Sequence, residues 1–202
     1  MKKLIILSLI VLSLTSCEKK IDALINRIVT KKHTAEITST EFVKYTIKQG
    51  EQFCDKSVHI PAAYDELSFI VKFDSSAIYQ TLKSDNQQDI NKLLGFSDNN
   101  KAHHEFSARF GWRWSKNALR LFAYNYNNSV VSSKELGIVV IGAQNNCSIK
   151  VDNDKYIFTL NGKTQTMPRA STTLKAEGYK LYPYFGGDEF APHTIGIWIK
   201  EK

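Results

Sequence analysis

Hydrophobic and polar positions alternate along much of this chain. Between residues 106 and 114, Phe106, Ala108, Phe110, Trp112 and Trp114 share one parity, while Glu105, Ser107, Arg109 and Arg113 take the other. A period of two with one apolar face marks a half-buried β-strand. Residues 67–73 and 119–126 read as further strands, and 41–53 is rich in Thr, Val, Ile, Tyr and Phe. Strands are also expected at 137–141, 147–151, 155–160, 163–167, 179–185 and 193–200. Asn127-Asn128-Ser129 and Asp152-Asn153-Asp154 read as turns. Asn161-Gly162 is a type I′ hairpin signal, because both residues tolerate positive φ. One short helical patch is expected around 85–94.

Many short strands joined by turns predict an all-β fold, an antiparallel β-sandwich or barrel. No internal repeat and no domain boundary is visible after residue 34, so 34–202 reads as one domain.

The first 33 residues follow different patterns. Lys2 and Lys3 precede an apolar run from Leu4 to Leu14 that is too short to span a bilayer. It reads as the core of a signal peptide over 1–16. Leu14-Thr15-Ser16-Cys17 resembles the bacterial lipobox, which implies lipidation at Cys17 and a lipid-anchored protein of the cell envelope. Glu18 follows that cysteine, where an Asp would resemble an inner-membrane retention signal; this favours the outer membrane, with the leaflet open. Ile21, Leu24, Ile25, Ile28 and Val29 then fall on one helical face, with basic residues around them, so 17–33 reads as a helical tether.

Composition narrows the classes. With 43% apolar and 23% charged residues the 202-residue chain is globular, and three cysteines exclude a disulfide-dense scaffold. Cys54 and Cys147 could form a long-range disulfide in an oxidising compartment or remain two buried thiols. The net charge of +7 has no basic aromatic stripe behind it, which argues against nucleic acid. It suits anionic glycans, and solubility explains it equally well.

Several segments together resemble a family of poorly characterised bacterial surface lipoproteins. They are residues 89–98 (Asp-Ile-Asn-Lys-Leu-Leu-Gly-Phe-Ser-Asp), His103-His104-Glu105, 107–114, Tyr182-Pro183-Tyr184-Phe185-Gly186-Gly187-Asp188-Glu189 and Ala191-Pro192-His193. The late Tyr184-Phe185-Gly186-Gly187 turn before a final strand is also similar to the concanavalin A-like or laminin G-like sandwich, which implies a jelly-roll fold. Such sandwiches host lectins, glycoside hydrolases and polysaccharide lyases, so the resemblance implies a fold more than a role.

The enzymatic signatures of those relatives are broken here. There is no Glu-x-Asp-x-x-Glu strand to present two carboxylates. The Arg-x-Glu-x-Arg, Gln-x-His and Tyr-Phe-Lys strands of alginate-lyase-like members are not matched, and Gly186 stands where a lysine would follow Tyr184-Phe185. The expectation is a non-enzymatic module that binds a glycan or surface ligand. A structural or assembly partner of an outer-membrane protein, and a lyase or hydrolase with an atypical site, are the alternatives.

The candidate contacts follow from residue chemistry. Arg109 and Arg113 could hold an acidic sugar by bidentate hydrogen bonds if their strand face is concave; otherwise that face is simply solvated. Tyr124, Tyr126 and Tyr184 offer stacking surfaces. The 186–193 loop adds Asp188 and His193, either as a site or as a structural corner. His103 and Glu105, taken as one strand face, are too few for zinc. Asp89, Asn91, Asp98, Asn99 and Asn100 are oxygen donors that calcium could use, or loop caps. No other cofactor is expected.

Overall fold

The computed structural model describes residues 41–202. Twelve strands follow in order: β1 (Val43–Ile47), β2 (Pro61–Tyr64), β3 (Glu66–Phe73), β4 (Asn91–Ser97), β5 (Phe106–Ser115), β6 (Ala118–Asn127), β7 (Val130–Val139), β8 (Asn145–Asp152), β9 (Lys155–Leu160), β10 (Lys163–Pro168), β11 (Ala176–Leu181) and β12 (Ile195–Glu201). Two six-stranded sheets result. Sheet A has the order β1-β12-β3-β8-β9-β10 and sheet B the order β2-β11-β4-β5-β6-β7. Every pairing within them is antiparallel. The molecule is the expected all-β, antiparallel β-sandwich.

The core lies between the sheets and is built by the alternating residues. Phe69, Val71 and Phe73 of β3 meet Phe110 and Trp112 of β5, with Phe69–Phe110 and Phe73–Trp112 ring centroids 5.5 Å apart in each case. Phe158 of β9 packs edge-on to Phe110 at 5.4 Å. The expected turns are present: Asn161 and Gly162 have φ of 50° and 85°, and Asn128-Ser129 and Asn153 also take positive φ; Lys116-Asn117 adds a turn that was not expected.

The helical patch expected at 85–94 is corrected. Only Ser84–Gln88 turns, as a 3-10 segment, and Asn91–Ser97 is β4. A bulge explains the misleading spacing. Lys92 pairs with Gly111 and Gly95 with Arg109, so three residue steps on β4 match two on β5. The extra residue sends both Leu93 and Leu94 into the core. Lys92 and Gly95 are left on the outer face of sheet B.

One buried ion pair fastens the sandwich. The Arg169 guanidinium donates to Asp98 at 2.7 Å, and the Tyr156 hydroxyl donates to the same carboxylate at 2.6 Å. Arg169 also binds the carbonyls of Asn153, Thr173 and Lys175, which holds the β10–β11 connection in place. Of the two readings offered for Asp98, this is the capping one: its oxygens accept from Arg169, Tyr156 and backbone N–H groups. Asn91 is likewise engaged, donating to the Tyr79 hydroxyl and accepting from Gly186 N.

Cys54 and Cys147 are two separate buried thiols. Cys54 sits beside Ile47 of β1, and Cys147 lies in β8. In sheet A these strands are three positions apart, roughly 14 Å at the usual strand spacing, which no disulfide spans. The signal peptide, Cys17 and the tether fall outside the described residues.

Candidate functional site

The outer face of sheet B carries a cleft of about 770 Å³, within the range of small-ligand sites. Its floor is laid by strand register. One rung runs Gly95–Arg109–Tyr124 across β4, β5 and β6, the next Ser97–Ser107–Tyr126, and on the other side Lys92–Gly111–Phe122. Tyr179, Lys180 and Tyr182, with Pro183 and Tyr184, form one wall, and His59, His103 and His104 stand at one end.

Arg109 is the centre of this floor. It is only 8% exposed, and its Nη2 donates to the Tyr182 carbonyl at 2.7 Å and more weakly to Leu93 O at 3.4 Å. Among the described residues its Nε has no partner, and neither does the buried Ser107 hydroxyl two residues away on the same face. Buried polar groups are nearly always satisfied, and these two donors lie beneath the cleft surface without a partner among the described residues. Burial pushes the Arg109 guanidinium down to about 10, which still leaves it charged at neutral pH.

Lys92 is the second cation. Its Nζ donates to Gly186 O at 2.9 Å and lies 5.1 Å from the Tyr124 ring centroid. Burial, and then repulsion from Arg109, lower its pKa to about 8. Lys180 is spoken for by Glu201, with which it forms an ion pair. Among the described residues no carboxylate lines the cleft, so the positive charge of Arg109 and Lys92 has no acidic counterpart on these walls.

The aromatic groups form an arc around these cations. Tyr124 and Tyr126 meet at 6.0 Å, Tyr126 and His104 at 5.3 Å, and Phe53 closes edge-on over Tyr184 at 5.0 Å. The Tyr179 hydroxyl accepts the His103 backbone N–H at 3.0 Å and shares a hydrogen bond with His103 Nδ1 at 2.8 Å. Burial, then the neighbouring His104 and Arg109, push His103 down to about 4, so its ring is neutral and Nδ1 can accept.

The structure therefore brings together Arg109, Tyr124, Tyr126 and Tyr184, and not the other candidates. Arg113 lies beyond the cleft, donating to Gln88 O and stacking 4.8 Å over Phe122. His193 reaches the Ser76 carbonyl at 2.8 Å. Asp188 is exposed outside the cleft, and its backbone N–H meets Asp89 Oδ2 at 3.4 Å. The 186–193 loop is a structural corner: the Glu189 carboxylate accepts Leu82 N, Lys83 N and Asn86 Nδ2, each at 2.8 Å.

The strand-parity reading of His103 and Glu105 is also corrected. β5 begins only at Phe106, and the His103 and His104 rings meet at a tilt, centroids 4.1 Å apart, in the preceding turn. Among the described residues no group of three or more His, Cys, Asp or Glu is placed to hold a metal. Lys92, Ser107, Tyr179 and Tyr182 complete the cleft without having been singled out as ligand contacts. Ser107 and Tyr182 carried a parity signal; Lys92 and Tyr179 face the cleft through the bulge and through pairing with distant strands.

No family model matches the chain, and no curated protein matches it by sequence. Solved structures do. Alginate lyase AlyC3 superposes with a TM-score of 0.57 at 11% identity, over 80% of this chain and 74% of that one. Its complex with dimannuronate gives 0.55 at 10% identity, over 80% and 73%. A glycoside hydrolase family 16 endo-glucanase from Bacteroides ovatus, in complex with G4G3G-2F-DNP, gives 0.50 at 8% identity, over 81% and 80%. At such identities these similarities define the sandwich fold, and the function must be argued from the cleft.

Proposed function

We propose that this is a lipid-anchored protein of the cell envelope, of the surface-lipoprotein kind, whose sheet B cleft binds an acidic oligosaccharide without turning it over. The observation that carries the reading is a cleft floored by two unneutralised cations, Arg109 and Lys92, with no carboxylate on its walls among the described residues. A sugar carboxylate accepts from a guanidinium and a hydroxyl together, and charge-assisted bonds of this type are the stronger ones. Tyr124, Tyr126 and Tyr184 supply rings against which the apolar faces of pyranose units pack at low entropic cost. Two-carboxylate glycoside hydrolysis has no groups to work with on these walls. That the superposed folds include a lyase seen with dimannuronate supports the choice of ligand class.

The test is titration of the protein with an oligomannuronate and, separately, with a neutral oligomannose. Binding of the acidic sugar alone, with no rise in the ultraviolet absorbance of an unsaturated uronate, is the expected result. Equal binding of both, or of neither, overturns the reading; a steady rise in absorbance makes the protein a lyase.

A further inference from the structure

The outer face of sheet A carries a second basic and aromatic surface, on the side of the sandwich away from the cleft. Its centre is one rung: Lys44 of β1 pairs with Trp198 of β12, which pairs with Lys72 of β3. The two ammonium groups lie 4.9 and 5.7 Å from the Trp198 ring, and Lys72 also lies 5.4 Å from the ring of Phe42. Gly196 makes room for this arrangement. A Cβ there would stand 3.1 Å from the indole and 2.9 Å from Lys44 Cε, so the indole lies along the sheet over the glycine.

Lys200 and Lys202 continue the same parity along β12, and Lys150 extends it on β8. Lys200 pairs with Ile70 of β3, and Lys202 donates to Asn146 at 2.9 Å. Against these five lysines the outward positions of β1, β12, β3 and β8 carry only Glu66 and Asp152, and Asp152 is paired with Lys155 at 3.3 Å. The positive charge is spread across four strands, roughly 14 Å at the usual spacing, and does not converge on one point. A convergent site seats one anion; a spread of lysines around a half-buried Trp fits a plane of many anions with an apolar layer beneath.

We infer that the outer face of sheet A rests on an anionic phospholipid surface. The position of the chain supports this occupant: the described residues begin at Glu41, next to the Phe42–Lys44 corner of the face, and Cys17 lies about two dozen residues upstream. Docked this way, the sandwich turns sheet B outward, so the cleft opens away from the lipid. The inference rests on the lipid-anchored part of the proposed function and not on what the cleft binds.

The experiment is co-sedimentation of the full chain carrying Cys17→Ser, so that no acyl chain contributes, with two kinds of vesicle. One is pure phosphatidylcholine; the other contains about a third phosphatidylglycerol. The expected result is binding to the anionic vesicles only, weakened as salt is raised. The triple variant Lys44→Gln, Lys72→Gln, Lys200→Gln should weaken it about a hundredfold with an unchanged near-ultraviolet circular dichroism spectrum. The tryptophan emission should shift to the blue on binding, and Trp198→Phe should abolish the shift. Arg109→Met, in the cleft, should bind vesicles like the parent. Equal binding to both vesicles overturns the inference. So does a triple variant that binds as well as the parent, since that would assign binding to the basic residues at 17–33.

Discussion

Gly95 faces Arg109 across the β4–β5 pair so closely that a Cβ on the glycine would stand 2.2 Å from the arginine's own Cβ. The absence of a side chain at 95 is what lets the guanidinium lie on the cleft floor. Gly95→Ala should therefore damage the cleft and the fold together. Overpacking of this kind costs about 1–3 kcal/mol, which a denaturation midpoint would show, and acidic-sugar affinity should fall in parallel. Retention of parental stability and affinity would mean that β4 yields without cost and that Gly95 does not shape the floor.

The Asp98–Arg169 pair should govern acid stability. Burial alone would raise the Asp98 carboxyl, but the hydrogen bonds from Arg169 and Tyr156 outweigh it and hold the group below the usual carboxylate range. A depressed folded pKa gives stability that is present above the unfolded value, near 4, and is lost as pH falls through the folded one. Asp98→Ala leaves Arg169 buried without its partner and should cost about 3–5 kcal/mol at neutral pH. Urea midpoints measured from neutral pH downward should decline below about pH 4 in the parent. Asp98→Asn should remove part of that decline.

Local patterns were legible in the sequence, and pairings between distant strands were not. The parity of Phe106 to Trp114 and the Asn161-Gly162 turn stand as they read, because period and turn chemistry are local properties. β4 did not, because its bulge buries Leu93 and Leu94 side by side, a pattern that resembles a helical face. Arg109, Tyr124 and Tyr126 were legible as one outward face of two neighbouring strands. Lys92 and Tyr179 were not, since their places depend on pairings across the sheet. Asp188 and His193 drew attention as polar residues beside glycines, yet the loop's polar groups mainly tie the backbone together.

Lys92 should give the cleft a pH dependence. Because burial and Arg109 hold it at about 8, its ammonium is lost above that pH, and affinity for an acidic sugar should fall there. Stability should move the opposite way. The unfolded lysine, near 10.4, binds more protons than the folded one in this interval, so stability contributed by Lys92 rises with pH between about 8 and 10. Lys92→Met should flatten both profiles. A parent affinity that is constant through this interval would remove Lys92 from the site.

The two thiols should be silent in the native protein. Burial raises both above the usual thiol range, Cys147 most of all. Reductant should leave the melting temperature unchanged, and alkylation of Cys147 should require denaturant. A drop in melting temperature on reduction would show that a bridge exists.

The central claim is that Arg109 reads a carboxylate from the cleft floor. Calorimetric titration of the parent and of Arg109→Met with an oligomannuronate tests it most directly. Loss of charged hydrogen bonds worth about 1.5–3 kcal/mol predicts affinity weakened roughly tenfold to a hundredfold, with the circular dichroism spectrum unchanged. Equal affinity in a folded Arg109→Met variant would contradict the account.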